Sequence, residues 1–142
     1  MKAIGRSLLD TNVLVYCFID GEKDKRSKAR SLVRSALETR NAVISYQVVQ
    51  EFLNVATRKP RRAMDQAEAQ VYLTQVLMPL CDVFPSERLY ADAVSIADET
   101  GWSFYDSLVV SAAIVAGCQS VLTEDLQDGR SIRGVTIRNP FS

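Results

Sequence analysis

The chain has 142 residues, of which 47% are hydrophobic, and its 17 Lys or Arg balance its 17 Asp or Glu. This length is typical of one domain that buries about two thirds of its unfolded surface, so we expect residues 1–142 to form a single domain. The absence of histidine excludes Ser/His/Asp and Cys/His nucleophile arrangements, HExxH zinc sites and histidine acid–base pairs. Any catalysis must therefore depend on carboxylates, hydroxyls, lysine, arginine or a metal held by oxygen ligands.

The charges are unevenly distributed although they cancel overall. Residues 1–62 contain 13 Lys or Arg and 6 Asp or Glu, whereas residues 63–142 contain 4 and 11. The basic residues cluster in "EKDKRSKAR" (22–30) and "TRKPRR" (57–62). These clusters are consistent with a surface that faces phosphates and equally with solvated helix ends.

The cysteines and the apolar stretches indicate an ordinary cytoplasmic protein. Cys17, Cys81 and Cys118 are odd in number, far apart and surrounded by apolar residues, so we expect them to be core side chains without a disulfide or zinc role. No apolar stretch approaches the about 20 residues that cross a bilayer, and Asp10 interrupts the only segment that resembles a signal sequence. We therefore expect a cytoplasmic location and no membrane contact.

In the first half of the chain, short apolar segments alternate with helical patterns. "RSLLD" (6–10) predicts a strand, "VLVYCFI" (13–19) the first turns of a helix, and "DGEKDK" (20–25) a polar loop. Apolar residues recur at helical spacing from Lys25 to Thr39, which predicts an amphipathic helix over these residues. "NAVIS" (41–45) predicts a second strand, after which Ser45 caps a helix over 46–58 that must end before Pro60.

The second half repeats this alternation. We expect a helix from Met64 to Leu77, a strand over "CDVF" (81–84), and a helix that Ser86 caps and Gly101 ends. Ser103 begins another helix, "FYDSLVVSAAIVAG", and "QSVLT" (119–123) and "GVTIRN" (134–139) are the last strands. The alternation predicts an α/β fold with a mostly parallel sheet covered on both faces, whose ligand site lies at the carboxyl ends of the strands.

Four carboxylates occupy unusual places in this scheme. Asp10 ends the first strand, and Asp125 follows the fourth strand in "VLTED", so both should project at one sheet edge. Glu51 and Asp106 fall on the apolar stripes of their helices, which predicts that both face the core. Each has a purely structural alternative: Asp10 as a helix cap, Glu51 paired with an arginine, Asp106 in a capping box with Ser103, and Asp125 in a turn.

A shared divalent cation accounts for all four carboxylates together, because it offsets both their repulsion and their desolvation. Mg²⁺ takes oxygen ligands and keeps several waters, and Mn²⁺ accepts the same ligands. Such an ion can lower the pKa of a bound water, orient it toward a phosphodiester and neutralise the charge that develops on the phosphate oxygens. This chemistry requires no histidine.

The segments that carry these residues resemble the PIN-domain ribonucleases, and within them the VapC-type toxins of bacterial toxin–antitoxin pairs. "LLDTNVLVY", "QEFLNV", "FYDSLVVSAA" and "LTEDLQDG" followed by "NPF" are similar to the family's motifs, in order, from Ser7 to Phe141. The resemblance implies a PIN-like fold with a central, mostly parallel sheet of short strands between helices. It also implies an Mg²⁺- or Mn²⁺-dependent endoribonuclease that leaves a 5′-phosphate.

The resemblance also implies residue roles and partners. Asp10 and Asp106 would be metal ligands, Glu51 a further ligand or an orienter of the attacking water, and Asp125 the fourth acid. In this last role Glu124 or Asp128 could replace Asp125. The remaining implied features are Asn12 and Thr123 as polar supports of the acids, an RNA substrate, a small VapB-like antitoxin whose C-terminal segment crosses the active site, and a homodimer.

Other functions agree less well with the residues. Phosphoryl transfer to an aspartate needs either a second Asp two residues after Asp10, where Asn12 stands, or a lysine after a late strand, and no lysine follows Lys59. A PIN nuclease outside a toxin pair and a catalytically silent PIN-like binding module both remain as alternatives. Tyr105 is interpreted as a packing residue, with base stacking as its alternative.

Overall fold

The computed structural model describes residues 5–18 and 21–142. Its six-stranded sheet has the order β3-β2-β1-β4-β6-β5, and neighbouring strands are parallel except for β5 and β6. The strands are β1 Ser7–Leu9, β2 Ala42–Ser45, β3 Cys81–Val83, β4 Ser120–Leu122, β5 Ser131–Ile132 and β6 Val135–Arg138. The predicted α/β fold with a mostly parallel sheet is therefore confirmed.

The helices cover the two faces of this sheet. They are α1 Thr11–Tyr16, α2 Lys23–Thr39, α3 Tyr46–Ala56, α4 Gln66–Tyr72, α5 Met78–Leu80, α6 Glu87–Thr100 and α7 Phe104–Val115. Successive strand residues point to opposite faces: Leu8 packs in a core with α6 and α7, and Leu9 packs in a second core with α1 to α5. None of the helices among residues 5–18 and 21–142 has the length and apolar character to cross a membrane.

Most predicted helix boundaries agree with the structure. Ser45, Ser86 and Ser103 cap α3, α6 and α7 as predicted, each accepting a hydrogen bond from the backbone N–H three residues later. Gly101 ends α6 with a φ of 75°, in the left-handed region that favours glycine. All three cysteines are free; Cys17 and Cys118 are buried as predicted, whereas Cys81 is only half-buried.

Several helix boundaries differ from the prediction: α1 begins at Thr11 instead of Val13, and α3 ends at Ala56 instead of Arg58. The loop predicted over 20–25 is shorter because α2 begins at Lys23; Ile19 and Asp20, which belong to predicted elements, lie outside the described residues. The helix predicted over 64–77 begins at Gln66, because Asp65 and Glu68 form a capping box. It continues through a π-helical turn at Leu73–Leu77 and ends at Leu80.

Strand β5 is missing from the sequence prediction. It pairs antiparallel with β6 through a two-residue turn in which Arg133 has a φ of 49° and Gly134 a φ of 83°. Two successive positive φ angles are typical of a type I′ hairpin turn, which favours glycine at its second position. A strand of two residues is too short to show an alternating pattern in the sequence.

The topology places one crevice at the centre of the sheet. The chain adds β2 and β3 on one side of β1 and β4, β6 and β5 on its other side. Ligands of open parallel sheets bind where the strand order reverses in this way, outside the carboxyl ends of the strands. Here that point lies between β1, which leads into Asp10, and β4, which leads into Thr123.

Candidate active site

A cavity of about 370 Å³ opens at this point. Its walls come from the beginning of α1, one face of α3, the first turns of α7 and the loop after β4. The lining residues are Asp10, Thr11, Asn12, Val15, Gln47, Glu51, Val55, Tyr105, Asp106, Val109 and Asp125. All four predicted carboxylates therefore share one cavity.

Asp10 is the buried carboxylate of the cavity, with 8% of its surface exposed. It caps α1: Oδ1 accepts a hydrogen bond from the backbone N–H of Thr11 at 2.8 Å, and Oδ2 accepts one from the Thr123 hydroxyl at 2.9 Å. Burial raises the pKa of Asp10 from 3.8 to about 6, against the effect of these hydrogen bonds and with the help of the charges of Glu51 and Asp125. The cap interpretation is correct, but a cap alone does not explain a carboxylate that is buried beside two other acids.

The Thr123 hydroxyl connects three site residues. It donates its only proton to Asp10, accepts a hydrogen bond from Asn12 Nδ2 at 3.0 Å, and accepts another from the backbone N–H of Asp125 at 3.1 Å. Asn12 Nδ2 also donates to Asp125 Oδ2 at 3.2 Å. Asn12 and Thr123 therefore hold β4 and its loop against the start of α1.

Glu51 is exposed, so the prediction that it faces the core is wrong. Its helical face is apolar on either side, but part of that face borders the open cavity instead of the core, and Val55 on the same face is 42% exposed. The Thr11 hydroxyl donates to Glu51 Oε1 at 2.7 Å. Among the described residues Glu51 forms no ion pair with an arginine, and this hydrogen bond holds it at the edge of the cavity.

Asp106 is also exposed, and the prediction that it faces the core is wrong for the same reason. Its backbone N–H donates to Ser103 Oγ at 3.1 Å, so Asp106 occupies the first turn of α7, where the helix dipole favours a carboxylate. Tyr105 is 68% exposed at the cavity and contacts Phe104 edge-on at 5.6 Å between ring centroids. The interpretation of Tyr105 as a packing residue is therefore wrong.

The loop after β4 separates its three acids. Asp125 lines the cavity. Glu124 instead accepts hydrogen bonds from the Tyr16 hydroxyl and from Lys25 Nζ, and Asp128 accepts one from the backbone N–H of Asn139 at 2.8 Å. This geometry favours Asp125 as the fourth acid, while its role stays a prediction.

Glu124 belongs to a cluster that braces the site from outside. Lys25 at the start of α2 lies 3.1 Å from Glu124 and 4.9 Å from the centroid of the Tyr16 ring, against which Phe141 packs edge-on. The hydrogen bond from Tyr16 lowers the pKa of Glu124. The cluster ties α1, α2 and the C-terminal residues to the loop that carries Asp125.

Gln47 is a cavity residue that the sequence analysis missed. It is buried, with 8% of its surface exposed, and lines the cavity one helical turn before Glu51. Residues four apart on a helix share a face. The spacing between Gln47 and Glu51 could therefore have revealed it.

The donor set suits a hard divalent cation. Every polar side chain at the cavity offers oxygen, and Asn12 Oδ1 is buried without a hydrogen-bond partner among the described residues. A buried carbonyl oxygen without a partner is costly unless a water or cation satisfies it. Across residues 5–18 and 21–142, no three His, Cys, Asp or Glu side chains converge as a complete ligand set, so waters would have to complete the coordination of an ion such as Mg²⁺.

A second cavity continues from the first along α3. It has a volume of about 400 Å³ and shares Val15 and Val55 with the carboxylate cavity. Its walls are mainly apolar, and Phe18 and Phe52 lie with their ring centroids 5.8 Å apart. We call this cavity the apolar groove; its lining residues are Val15, Phe18, Phe52, Val55, Ala56, Arg61, Arg62 and Ala63.

Comparison with known proteins defines the class to which this fold and site belong. The PIN domain family model matches residues 7–127, so the chain belongs to the PIN domain family. No curated protein sequence matches the chain.

Several solved structures share this fold over nearly their whole length. A toxin–antitoxin complex from Klebsiella pneumoniae is similar with a TM-score of 0.67 and 18% identity, over 95% of this chain and 98% of that one. DNA-bound VapBC from Salmonella typhimurium is similar with a TM-score of 0.67 and 20% identity, over 95% of this chain and 98% of that one. VapC20 from Mycobacterium tuberculosis, a toxin that cleaves the sarcin–ricin loop, is similar with a TM-score of 0.60 and 16% identity. The similarity covers 84% of this chain and 89% of that one.

Proposed function

We propose that this protein is a metal-dependent endoribonuclease and the toxin of a toxin–antitoxin pair. The observation that carries the proposal is that Asp10, Glu51, Asp106 and Asp125 all line one cavity in a PIN fold. Membership of the PIN domain family and the fold shared with toxins of known structure support it. The proposal treats residues 1–142 as one nuclease domain that acts on RNA in the cytoplasm.

Asp10 and Asp106 would hold Mg²⁺ or Mn²⁺, with Glu51 and Asp125 as further ligands directly or through water. When bound, the ion would lower the pKa of a water and stabilise the negative charge that develops on the phosphate. Asp10 must be ionised to bind it, and the neighbouring cation would favour that form. Glu51, which accepts a hydrogen bond from the Thr11 hydroxyl, would orient the attacking water.

Asn12 and Thr123 would keep Asp10 and Asp125 in position during the reaction. Asn12 and Thr123 connect Asp10 to Asp125 by hydrogen bonds that use none of the exposed carboxylate oxygens of Glu51 or Asp106. Hydrolysis by an activated water would leave a 5′-phosphate and a 3′-hydroxyl. The exposed ring of Tyr105 at the cavity edge is available to stack on a base of the substrate.

The test of nuclease function is the Asp10→Asn variant. We expect a loss of RNA cleavage of at least about 100-fold in Mg²⁺, since the buried ligand is removed while its shape is kept. Asp98→Asn, an exposed carboxylate on α6 away from the cavity, is the matched control and should cleave at the normal rate. Wild-type cleavage by Asp10→Asn would contradict the proposal.

Metal dependence has a separate test that does not measure activity. A bound ion stabilises the folded state by RT ln(1 + [Mg²⁺]/Kd), which is about 2.7 kcal/mol at 100 times Kd. We expect the melting temperature of the wild type to rise with Mg²⁺ and that of Asp10→Asn to rise far less. A wild-type melting temperature that does not respond to Mg²⁺ or Mn²⁺ would instead favour a catalytically silent binding module.

The partner proposed for the apolar groove is a segment of the antitoxin. A peptide with apolar side chains would pack on Phe18 and Val55, and an arginine at its end would pair with the cavity carboxylates. Solved structures with this fold include toxin–antitoxin complexes. Co-expression with the neighbouring reading frame should restore growth and block RNA cleavage, and Phe18→Ala should weaken that complex.

The homodimer implied by the family resemblance stays a prediction. Exposed apolar side chains on α6 and at the start of α7, among them Tyr90, Val94 and Phe104, offer a surface on which a second copy could pack. Light scattering at several protein concentrations would give the mass in solution. A monomer at all concentrations would contradict the prediction.

A further inference from the structure

Helix α2 presents a cationic groove on its solvent side. The groove has a volume of about 540 Å³ and is lined only by basic and hydroxyl side chains, namely Lys23, Arg26, Ser27, Arg30, Ser31 and Arg34. These residues recur every three or four positions, so they form two adjacent rows on one face of the helix. We call this surface the basic face of α2.

The cations of this face are not arranged to stabilise the helix. Arg30 and Arg34 are one turn apart, a spacing at which like charges destabilise a helix. Serine, which is a poorer helix former than glutamate, stands where a carboxylate could have paired with them. Within the described part of the chain, Lys23, Arg30 and Arg34 form no ion pair with a carboxylate.

The first turn of α2, where the basic face begins, contacts the loop that carries Asp125. Lys25 in the first turn of α2 pairs with Glu124, whose neighbour Asp125 lines the carboxylate cavity. Farther along the helix, Arg30 Nε donates to the carbonyl oxygen of Cys17 at 2.9 Å, which fixes its guanidinium on the surface. From Lys23 to Arg34 the face extends about 17 Å at the helical rise per residue.

We propose that the basic face of α2 binds the phosphate backbone of the RNA substrate outside the catalytic cavity. The proposal rests on the proposed ribonuclease function. It adds where the RNA on either side of the cleaved bond would lie. Rows of cations with hydroxyls between them suit repeated phosphates, which accept hydrogen bonds from Lys, Arg and Ser. A protein partner is the weaker interpretation, because the groove lacks the apolar and aromatic side chains that dominate protein interfaces.

The two proposed partners would use different surfaces beside α1. Helix α1 contacts both α2, which carries the basic face, and α3, along which the apolar groove runs. The substrate would contact the basic face of α2, and the antitoxin segment would contact the apolar groove.

The test measures binding of a fluorescein-labelled unstructured 20-nucleotide RNA to full-length protein in the uncleaving Asp10→Asn background. The variant pair Lys23→Gln and Arg34→Gln removes two cations of the basic face. The matched control, Lys28→Gln with Arg88→Gln, removes two cations elsewhere, one of them on the same helix. All four changes keep good helix formers, and circular dichroism with thermal melting checks folding.

We expect the Lys23/Arg34 variant to bind the 20-nucleotide RNA about tenfold more weakly than the control at 0.15 M salt. The plot of log binding constant against log salt concentration should become less steep by about 1.4, since each phosphate contact to a single strand contributes about 0.7 to the magnitude of the slope. A labelled dinucleotide, which is shorter than the basic face of α2, should bind both variants equally. With cleavage-competent protein, the same variant should raise KM for the long RNA and leave kcat unchanged.

Equal affinities and equal salt slopes of the two variants would overturn the proposal while leaving the ribonuclease function intact. If instead the variant loses only the binding of a decaglutamate peptide that the wild type binds, the face serves an acidic protein segment and the proposal is wrong. A wild-type protein that neither binds nor cleaves any RNA would overturn the proposed function, and this inference with it.

Discussion

Asp10 should make the stability of the metal-free protein fall as the pH rises. Burial, with the charges of Glu51 and Asp125, raises its pKa from 3.8 to about 6. The folded state therefore holds this proton more tightly than the unfolded chain does, so the stabilisation is present below pH 4 and is lost as the pH rises through 6. At about 1.4 kcal/mol per pH unit, ionisation lowers the free energy of unfolding by about 3 kcal/mol at pH 7.

The assay compares wild type and Asp10→Asn by urea denaturation in EDTA at pH 4, 5, 6 and 7. Asparagine keeps the shape of the side chain and stays neutral, so the difference between the two proteins isolates this one group. At pH 7 the variant should be more stable by up to about 3 kcal/mol, or about 10 °C in melting temperature, and the difference should shrink toward pH 4. EDTA is essential because a bound cation favours the ionised carboxylate and opposes this effect.

Two further variants sharpen the measurement. Glu51→Gln removes one neighbouring negative charge and should reduce the pH dependence slightly, because burial is the larger cause of the raised pKa. Asp98→Asn should leave it unchanged. The reasoning would be refuted by a difference between wild type and Asp10→Asn that stays constant from pH 4 to pH 7.

Two other predictions concern the residues that hold the site. Thr123→Val removes the hydroxyl that joins Asp10, Asn12 and Asp125, and should lower the free energy of unfolding by about 2 kcal/mol. In urea denaturation Thr123→Ser should retain most of that stability, and equal losses in both variants would point to packing instead. Ser103→Ala removes the cap of α7 and should lower the free energy of unfolding by about 1 kcal/mol. Because the first turn of α7 carries Asp106, isothermal calorimetry should also show weaker Mg²⁺ binding. An unchanged stability and an unchanged Mg²⁺ affinity would contradict this role of Ser103.

The sequence allowed the place of Asp10 and Asp125 to be predicted because that place depends on few physical rules. Alternating strands and helices predict a parallel sheet, and the carboxyl ends of parallel strands share one edge. Ser45, Ser86 and Ser103 are strong local signals for helix starts. These rules apply without knowledge of the surrounding packing.

The exposure of the other two acids could not be predicted in this way. The apolar spacing around Glu51 and Asp106 identifies a helix face correctly, but it does not tell whether that face meets a core or an open cavity. The same limit applies to Tyr105, which is exposed at the cavity edge. The hydrogen bonds among Glu124, Tyr16 and Lys25 join residues far apart in sequence, so no local pattern predicts them.

The short helix α1 connects the carboxylate cavity with the apolar groove. Its six residues span about 9 Å, with Asp10 capping one end and Phe18 lying just beyond the other. A partner that shifts this short helix at Phe18 would therefore also strain the cap that Asp10 forms at the other end. By thermodynamic reciprocity, a ligand at one end and an ion at the other would then change each other's affinity by the same factor, and titration of either in the presence of the other would measure that factor.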